Sequence, residues 1–428
     1  MVFEKVIRMS VLSLISAYEG QVMRTLNLVA SENLTSANVR AALASDLSHR
    51  YCIPPVGERP VAIWDYPNQE VPRAILAATE ELARALFHAA IADVRPLSGN
   101  QVAQIVLTTL VGRNDMVWSV PGNCGGHFTT EVVARREGIR LVQIPYDWSR
   151  GIIDVAAAAA LAREAPPKLI FLDASMQLFP HPLEELRAAI GPDTIISYDA
   201  SHTFGLIAGG HFQDPLREGA DLLHGSTHKS LWGPQKGMIL AREHGQVARA
   251  LNEAVVPMFA SNVHLHHVAA LGIALEEARN FGAAYASRVV ANARALGAAL
   301  AEAGIEVLFA DRGITDSHQV LVSLGDQTHA LECWRRLEAG GLHANAVSLP
   351  FREGTYGLRL GTAEAARRGL GPAEMIRVGG WIAACCRGTL SPPALAAMVA
   401  DLSRAHPSLA FADDTTDGAE EPCAASLE

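Results

Sequence analysis

Four polar segments follow short apolar runs in the first half of the chain, and their residue types could do chemistry. They contain Ser175 after KLIFLDA, Asp199 and His202 after TIISY, His228 and Lys229 after DLLHGST, and His127, behind two glycines, after DMVWSV. In an open parallel sheet, ligands bind at the carboxyl ends of the strands, so we expect these side chains at one edge. The set fits a catalytic site, and the same positions fit a structural salt-bridge cluster.

Lys229 lies in the run GSTHKSLWGPQKG, residues 225–237. A lysine near a strand end is most often a solvated surface charge. Here small hydroxyl residues and a Trp-Gly-Pro turn flank it, and these suit phosphate contact and a tight turn better than an exposed face. A lysine held there can lose its proton and form an imine with an aldehyde, which is the chemistry of pyridoxal phosphate.

The elements that must position these residues alternate along the chain. Short apolar runs predict strands at 115–120, 140–145, 168–175, 194–201, 221–227 and 237–241, and helical patterns such as VAAAAALAREA and PLEELRAAI separate several of them. Residues 74–90 predict a strongly amphipathic helix. This alternation predicts an α/β domain with a mostly parallel sheet covered on both faces.

The chain divides by character into four parts. We expect an N-terminal helical arm over 1–26, a large domain over 27–284, a smaller α+β domain over 285–405 and a disordered acidic tail over 406–428. The small domain contains the predicted strands IEVLFA, QVLVSLG and TYGLRLG and begins with the predicted helix SRVVANARALGAALAEAG, and another long predicted helix, HHVAALGIALEEA, precedes it.

Composition excludes several classes of partner. The net charge of −10, without any Lys/Arg block, argues against nucleic acid and anionic membranes and leaves small molecules. Neither a membrane span nor a targeting segment is evident, and six cysteines without metal-ligand or disulfide spacing indicate reduced thiols in the cytoplasm. The histidines of HLHH, 264–267, have no carboxylate or cysteine companion, so we expect no metal.

Six linked motifs resemble the serine hydroxymethyltransferase family, in order and at matching separations. They are NLVASENLTS (27–36), RPLSGNQVA (95–103), GGHFTT (125–130), SYDASHTFGLIAGG (197–210), STHKSLWGPQKG (226–237) and GLRLGTAEAARRG (357–369). The resemblance covers about residues 10–405. It implies a pyridoxal-phosphate-dependent, aspartate-aminotransferase-like fold of type I.

The resemblance also implies roles toward the cofactor, pyridoxal 5'-phosphate. Lys229 would form the Schiff base, Asp199 would pair with the pyridine nitrogen, and His127 would stack on the ring. Contacts to the phosphate would come from Ser98, Gly99, Asn100, Ser226 and His228. Near the phenolic oxygen and the substrate hydroxyl would lie Ser175 and His202.

Substrate binding is implied at four further residues. Arg359 and Ser31 would hold the substrate carboxylate, a bidentate task that suits arginine better than lysine. Tyr51 and Tyr66 resemble two active-site tyrosines that the family lends across a dimer interface, which implies a homodimer with shared sites that could pair into tetramers. The implied catalytic set is Lys229, His202, His127, Asp199, Tyr51 and Tyr66.

Three segments depart from the family pattern. Where the family carries a glutamate two residues after the first tyrosine, this chain has Ile53, which cannot exchange a proton. The family's second tyrosine stretch reads DYPNQEV here (65–71), and its glycine-rich phosphate loop reads PMFASNVHLHH (257–267). The residues for cofactor binding, carboxylate binding and carbanion stabilisation are present, whereas the acidic residue needed for folate-linked hydroxymethyl transfer is missing.

We therefore expect retro-aldol chemistry on a β-hydroxy-α-amino acid, most simply L-threonine. Loss of acetaldehyde would leave a glycine carbanion in quinonoid form, which either is protonated or attacks a second aldehyde, as in a threonine transaldolase of specialised metabolism. A serine hydroxymethyltransferase that recruits Glu58 or Glu70, an enzyme for α-methylserine, an aminotransferase and a non-catalytic scaffold remain open alternatives. Remodelled segments at 52–72 and 257–267 suit a larger acceptor aldehyde.

Overall fold

The computed structural model describes residues 10–52 and 66–413. Its strands are β1 Leu26–Asn27, β2 Ile91–Asp93, β3 Met116–Ser119, β4 Arg140–Gln143, β5 Tyr146–Asp147, β6 Ile152–Ile153, β7 Leu169–Leu172, β8 Ile195–Asp199, β9 Leu222–Ser226, β10 Gly237–Ala241, β11 Glu306–Val307, β12 Gln319–Gly325, β13 Leu342–His343, β14 Asn345–Ser348 and β15 Tyr356–Gly361. All six runs predicted as strands in the first domain are confirmed.

The α-helices have these bounds: α1 Val11–Val22, α2 Ala37–Ala44, α3 Glu70–Phe87, α4 Gly99–Leu110, α5 Phe128–Glu137, α6 Val155–Glu164, α7 Leu183–Ile190, α8 Phe204–Ala208, α9 Gln246–Ala254, α10 Leu265–Glu302, α11 Gln327–Ala339, α12 Ala363–Arg367, α13 Pro372–Cys386 and α14 Pro392–Ala405. Short 3₁₀ turns lie at Asp46–His49, Gly122–Cys124 and Ala310–Arg312, and a π-helical turn at Val255–Phe259 follows α9. The helix predicted over 74–90 is α3, which begins and ends slightly earlier.

The larger sheet has seven strands in the order β2-β10-β9-β8-β7-β3-β4. Neighbours from β9 to β4 pair in parallel, and β10 is antiparallel to both β9 and β2. The central strands β7, β9 and β10 are buried along their whole length, as expected for a sheet covered on both faces. The α/β fold class predicted from the alternation is therefore confirmed.

A second sheet contains four antiparallel strands in the order β11-β12-β15-β14. In its register Asn345 pairs with Arg359 and Gln319 pairs with Gly361, which brings these four residues to one end of the sheet. The amino-terminal strand β1 pairs with β13, so the segment that leads to Ser31 runs along this smaller unit.

Helix α10 differs from the prediction and joins the two units. Its 38 residues form one continuous helix where the sequence suggested two, because no proline interrupts the run and its alanine-rich centre favours a helix. The predicted domain boundary at 284/285 lies inside α10. The predicted strand IEVLFA is reduced to Glu306–Val307.

The chain after α14 is ordered further than predicted. Ala410 N donates to Arg367 O at 2.7 Å, Arg367 donates to the carbonyls of Ala410 and Phe411, and Asn38 donates to Asp413 O. The prediction of disorder from 406 is thus wrong for 406–413, because buried Arg367 needs carbonyl acceptors. Residues 414–428 of the predicted tail lie outside the described residues. Among the described residues, every helix is too short or too polar to cross a bilayer.

Candidate active site

Lys229 follows β9 and points toward His202. Its Nζ lies 3.4 Å from His202 Nε2. Burial lowers the pKa of Lys229, the charge of Arg359 lowers it further, and Asp199 opposes both. The lysine therefore has a larger uncharged fraction than a solvated one, which is the form that attacks a carbonyl.

The turn that carries Lys229 is stabilised by hydrogen bonds to the backbone carbonyls of Lys229 and Ser230. Asn33 Nδ2 donates to Lys229 O at 2.9 Å, and Tyr285 Oη donates to Ser230 O at 2.9 Å. Trp232, in the left-handed region with φ 53°, donates its backbone N–H to Lys229 O at 3.2 Å. Two of these contacts come from distant parts of the chain and one from within the turn, and together they hold the backbone at Lys229.

Asp199 ends β8 and lies beside the end of β9. Its Oδ1 accepts from Ser201 N at 2.8 Å, and Ser201 Oγ accepts from Ser226 N at 2.9 Å. Gly225 has φ 146°, and a Cβ there would lie 2.5 Å from Ser201 Oγ and 2.8 Å from Asp199 Oδ1. Glycine at 225 is therefore required for β9 to approach this carboxylate.

Three of the predicted phosphate residues meet at the N-terminus of α4. Ser98 caps the helix, its Oγ accepting from Gln101 N at 3.1 Å. A Cβ on Gly99 would lie 2.7 Å from Ser226 N, so the two backbones are in close contact. Asn100 is the next residue of the helix. Free N–H groups at a helix start form a suitable site for a phosphate.

His228 faces a different space. It lines a cavity of about 630 Å³ together with Ser31, Asn33 and Gln235, and none of Ser98, Gly99 and Ser226 lines that cavity. Burial lowers the pKa of His228 to about 4, with the charge of Lys229 as a second cause. Its role as a phosphate contact stays a prediction.

His127 precedes α5 and lies near the same charged groups as Lys229. Its Nδ1 accepts from Thr129 N at 3.4 Å, and its ring stacks on Phe128 with centroids 4.7 Å apart. Burial lowers the pKa of His127, while the charge of Asp199 opposes this. A Cβ on Gly126 would lie 2.1 Å from Val120 O, which explains the glycine before the histidine.

Arg359 and Ser175 connect the small sheet to the large one. Arg359 Nη1 donates to Ser175 O at 3.3 Å, while its Nε and Nη2 donate to Asn345 Oδ1 at 3.3 and 3.0 Å. Burial lowers the pKa of Arg359. Ser175 Oγ donates to Gly125 O at 2.9 Å, and Gln319 Nε2 donates to Ser175 O at 3.2 Å. The guanidinium is thus oriented by side chains and backbone of both units.

Tyr51 and Tyr66 stack on each other, with centroids 4.9 Å apart and planes 7° apart. They line a separate cavity of about 540 Å³ with His49 and Arg50. Within residues 10–52 and 66–413, no hydrogen bond or ring contact joins either tyrosine to Lys229 or Arg359. Ile53 and Glu58, which the sequence analysis singles out, lie outside the described residues.

Several residues of the site were given no role in the sequence analysis. They are Asn33, His318, Gln319 and Asn345, which contact Lys229, His202, Ser175 and Arg359 respectively. Each comes from a segment far along the chain, and the register of β12, β14 and β15 brings the last three into place. Asn33 lies in the motif NLVASENLTS and Gln319 begins the predicted strand QVLVSLG, whereas His318 and Asn345 belong to no predicted element or motif.

The HLHH histidines form a cluster away from Lys229. The ring centroids of His264, His266 and His267 lie 4.3 to 6.1 Å apart. Burial lowers the pKa of each of them. In the part of the chain that the structure describes, no group of three or more His, Cys, Asp or Glu side chains is arranged to hold a metal ion.

The residues present fit pyridoxal phosphate. Lys229 is a partly buried lysine with a lowered pKa, Asp199 offers a carboxylate at a strand end, and the start of α4 offers backbone N–H groups. The buried Nδ1 of His202 has no hydrogen-bond partner among the described residues. A parallel sheet with these groups at its carboxyl edge defines a pyridoxal-phosphate-dependent enzyme of fold type I.

Comparison with known proteins gives the family. The serine hydroxymethyltransferase family model matches residues 6–382. The serine hydroxymethyltransferase of Methanothermobacter thermautotrophicus is 44% identical over 369 residues, 84% of this chain and 85% of the relative. That of Methanopyrus kandleri is 36% identical over 420 residues, 96% of each. The chain therefore belongs to the serine hydroxymethyltransferase family.

A solved structure is similar over almost the whole chain. It is the crystal structure of L-threonine transaldolase from Pseudomonas fluorescens in its internal aldimine state, with TM-score 0.90 and 30% identity over 96% of both chains. The predicted family, fold type and cofactor are confirmed, and the protein is a pyridoxal-phosphate-dependent transferase or aldolase.

Proposed function

We propose that this enzyme is an L-threonine transaldolase, which cleaves threonine to acetaldehyde and transfers the remaining glycine unit to a second aldehyde. The observation that carries the proposal is the surroundings of Lys229. Burial holds the pKa of His202 well below its usual value, so this histidine is a neutral base beside the lysine. Among the described residues, Asp199 is the one carboxylate whose charge acts on Lys229.

His202 accepts and returns the proton that moves in this reaction. When bound, pyridoxal phosphate supplies the electron sink for the electron pair left on Cα. His202 Nε2 accepts the β-hydroxyl proton as the Cα–Cβ bond breaks and acetaldehyde leaves. The same nitrogen returns that proton to the oxygen of the incoming aldehyde as the new Cα–Cβ bond forms. Because its pKa lies well below the usual value, His202 is uncharged near neutral pH and can accept this proton, and the imidazolium so formed is acidic enough to return it.

The amino acid is oriented by Arg359 and Ser31. The guanidinium of Arg359 is fixed by Asn345 and by Ser175 O, which leaves its remaining Nη N–H groups for a carboxylate. When the cofactor is bound, Asp199 would keep its ring nitrogen protonated and His127 would lie against its ring. Fixing the carboxylate aligns the bond to be broken with the electron sink.

Two further facts favour aldehyde transfer over folate-linked transfer. Ile53 stands where the family carries its glutamate, so that proton donor is absent from the sequence position. The structurally similar protein from Pseudomonas fluorescens is an L-threonine transaldolase. An isoleucine side chain cannot exchange a proton and so cannot replace a carboxylic acid toward a pterin.

The test is incubation of the purified holoenzyme with L-threonine, L-serine or glycine, with and without tetrahydrofolate and a panel of aldehydes. We expect acetaldehyde from threonine without folate, and a new β-hydroxy-α-amino acid when a second aldehyde is present. Folate-dependent conversion of serine to glycine, without acetaldehyde from threonine, would exclude the proposal.

A second candidate is serine hydroxymethyltransferase itself. The curated relatives at 36–44% identity carry that name. In that case serine cleavage would rise with tetrahydrofolate, and Glu70→Gln, at the start of α3, would abolish the rise if Glu70 replaced the missing acid.

We also propose a homodimer with shared active sites. Helix α1 exposes Val11, Leu12 and Tyr18, each at least 65% exposed, and Tyr51 is 48% exposed in the isolated chain. Such apolar surface is typical of a covered interface. If Tyr51 serves the neighbouring site, a mixture of inactive Lys229→Ala and Tyr51→Phe chains regains activity through hybrid dimers. No recovery after co-refolding would contradict shared sites.

A further inference from the structure

His318 lies between two parts of the substrate site without belonging to either. It immediately precedes β12 and is fully buried. Its backbone oxygen accepts from Thr362 N at 3.0 Å and from Thr362 Oγ1 at 3.3 Å, so its position is fixed on the small sheet. From there its ring reaches the large unit.

One edge of the His318 ring binds the segment that carries Ser31. Nε2 lies 3.0 Å from Ala30 O. A carbonyl only accepts, so Nε2 carries the proton and Nδ1 is a bare acceptor. Burial lowers the pKa of His318 to about 4, which keeps this tautomer neutral. Ala30 is also confined on its other side, since a Cβ on Gly361 would lie 2.4 Å from Ala30 Cα.

The face of the His318 ring covers His202. The two rings are nearly parallel, with an interplanar angle of 13° and centroids 5.6 Å apart, and both residues are buried. The groups whose charges act on His202 are Lys229, Arg359, His318 and His127, and all act in the same direction as burial, which lowers its pKa. Removal of the covering ring would admit water and raise the pKa of His202 toward its usual value.

We infer that His318 is a positioning residue that couples the carboxylate-binding segment at Ala30–Ser31 to the proton-transfer group His202. The inference rests on the proposed function for the roles of Ser31 and His202. The two contacts of His318 can be tested separately, because the contact with Ala30 O uses the ring N–H and the contact with His202 uses the ring face.

Two variants separate the contacts. His318→Phe keeps a flat ring over His202 and leaves Ala30 O without its donor, whereas His318→Gln keeps an N–H of similar reach and loses the ring. His181→Phe and His181→Gln are matched controls, since His181 is also buried, with its pKa lowered to about 4, and lies against Tyr146 and Tyr198.

Two measurements report on the contacts. Glycine affinity, from titration of the absorbance of the bound cofactor, reports the carboxylate segment. The pH dependence of kcat/KM for amino acid cleavage reports His202. For His318→Phe we expect glycine affinity about tenfold weaker, as for loss of one hydrogen bond, with an unchanged acidic limb. For His318→Gln we expect affinity within about twofold, and an acidic limb about one pH unit higher.

The same two measurements can also contradict the role of His318. Equal changes of both measurements in the two variants, or changes no larger than those of the His181 variants, would overturn the inference, even if the thermal midpoint falls. Glycine is a ligand for threonine- and serine-cleaving enzymes alike. If wild-type enzyme cleaves serine and not threonine, the proposed function fails and the same measurements, made with serine, still test His318.

Discussion

At the scale of single residues, the site lowers the proton affinity of its nitrogen groups. Burial is the largest cause of the lowered pKa at Lys229, His202 and His127, and mutual repulsion with Arg359 adds to it. Asp199 opposes the effect at Lys229. The result is a lysine and two histidines that are available as nucleophile and bases near neutral pH.

Replacement of Lys229 tests the cofactor attachment directly. In Lys229→Ala we expect loss of the absorbance band of the covalently held cofactor, because Lys229 Nζ lies 3.4 Å from His202 Nε2, whereas the neighbouring Lys236 directs its Nζ to Arg95 O at 3.5 Å. Borohydride reduction followed by mass spectrometry should locate the cofactor on residue 229 in the wild type. Lys168→Ala is the control, since Lys168 forms an exposed pair with Asp115. Retention of the band in Lys229→Ala would disprove the assignment.

The pH dependence tests His202. Because the pKa of His202 is well below its usual value, the base stays neutral as the pH falls from 7.5 to 6, and kcat/KM for threonine cleavage should change little in that range. Activity should fall only at lower pH, as the ring gains its proton. His202→Asn should lower kcat by about 10²- to 10⁴-fold. An acidic limb centred near the usual value for histidine, or an active His202→Asn variant, would argue for another base.

The sequence predicts part of this residue-scale picture. Polar residues after apolar runs identify Lys229, Asp199, His202 and His127, because a parallel sheet gathers its carboxyl ends. His318 and Asn345 could not be found in this way. Their contacts depend on how an antiparallel sheet from later in the chain docks onto that edge, and neither composition nor spacing encodes that docking.

At the scale of elements, the close approach of β8 and β9 forms the floor of the site. Gly225→Ala would place a Cβ 2.5 Å from Ser201 Oγ, in a backbone conformation with φ 146° that costs a non-glycine residue about 1–3 kcal/mol. We expect cofactor affinity at least tenfold weaker by fluorescence titration, since Asp199 must move.

Gly210→Ala is the matched control for Gly225→Ala. Gly210 also has a positive φ, 68°, and a Cβ there meets open space. Its variant should lose stability without losing cofactor affinity. Equal loss of affinity in both variants would show that strain alone, and not the contact with Asp199, is responsible.

The sequence predicts whether a helix or strand is present better than it predicts how long that helix or strand is. Six apolar runs became strands, whereas two helical patterns fused into α10 and the strand β2, Ile91–Asp93, was missed. A three-residue strand gives no periodicity, and its place is set by antiparallel pairing with β10. Helix fusion follows from the absence of a breaker between two good helical patterns.

At the scale of the whole molecule, one buried ion pair ties the two units and the end of the described chain together. Glu277 on α10 accepts from Arg367 Nη2 and from Trp232 Nε1, at 2.8 and 2.9 Å. The guanidinium of Arg367 also lies over the Trp232 ring, 4.7 Å from its centroid. Glu277 therefore stabilises the turn that carries Lys229 through its hydrogen bond from Trp232.

Removal of that charge should be costly. Glu277→Gln leaves the buried guanidinium facing an amide, and we expect the free energy of unfolding to fall by about 3–5 kcal/mol. Asp316→Asn is the control, because Asp316 pairs with Arg294 at the surface and should cost less than about 1 kcal/mol. Urea denaturation of both variants measures the difference. Similar losses in the two would mean that the buried pair contributes no more than an exposed one.

The same contacts determine when during translation the turn of Lys229 can be completed. The turn of Lys229 rests on Trp232, Trp232 on Arg367, and Arg367 binds the carbonyls of Ala410 and Phe411. At about 5–20 residues per second, a ribosome needs roughly 10 to 40 s to advance from residue 229 to residue 411. The turn of Lys229 lacks its last support for that time, so we expect the complete cofactor site to form only after residue 411 has been made.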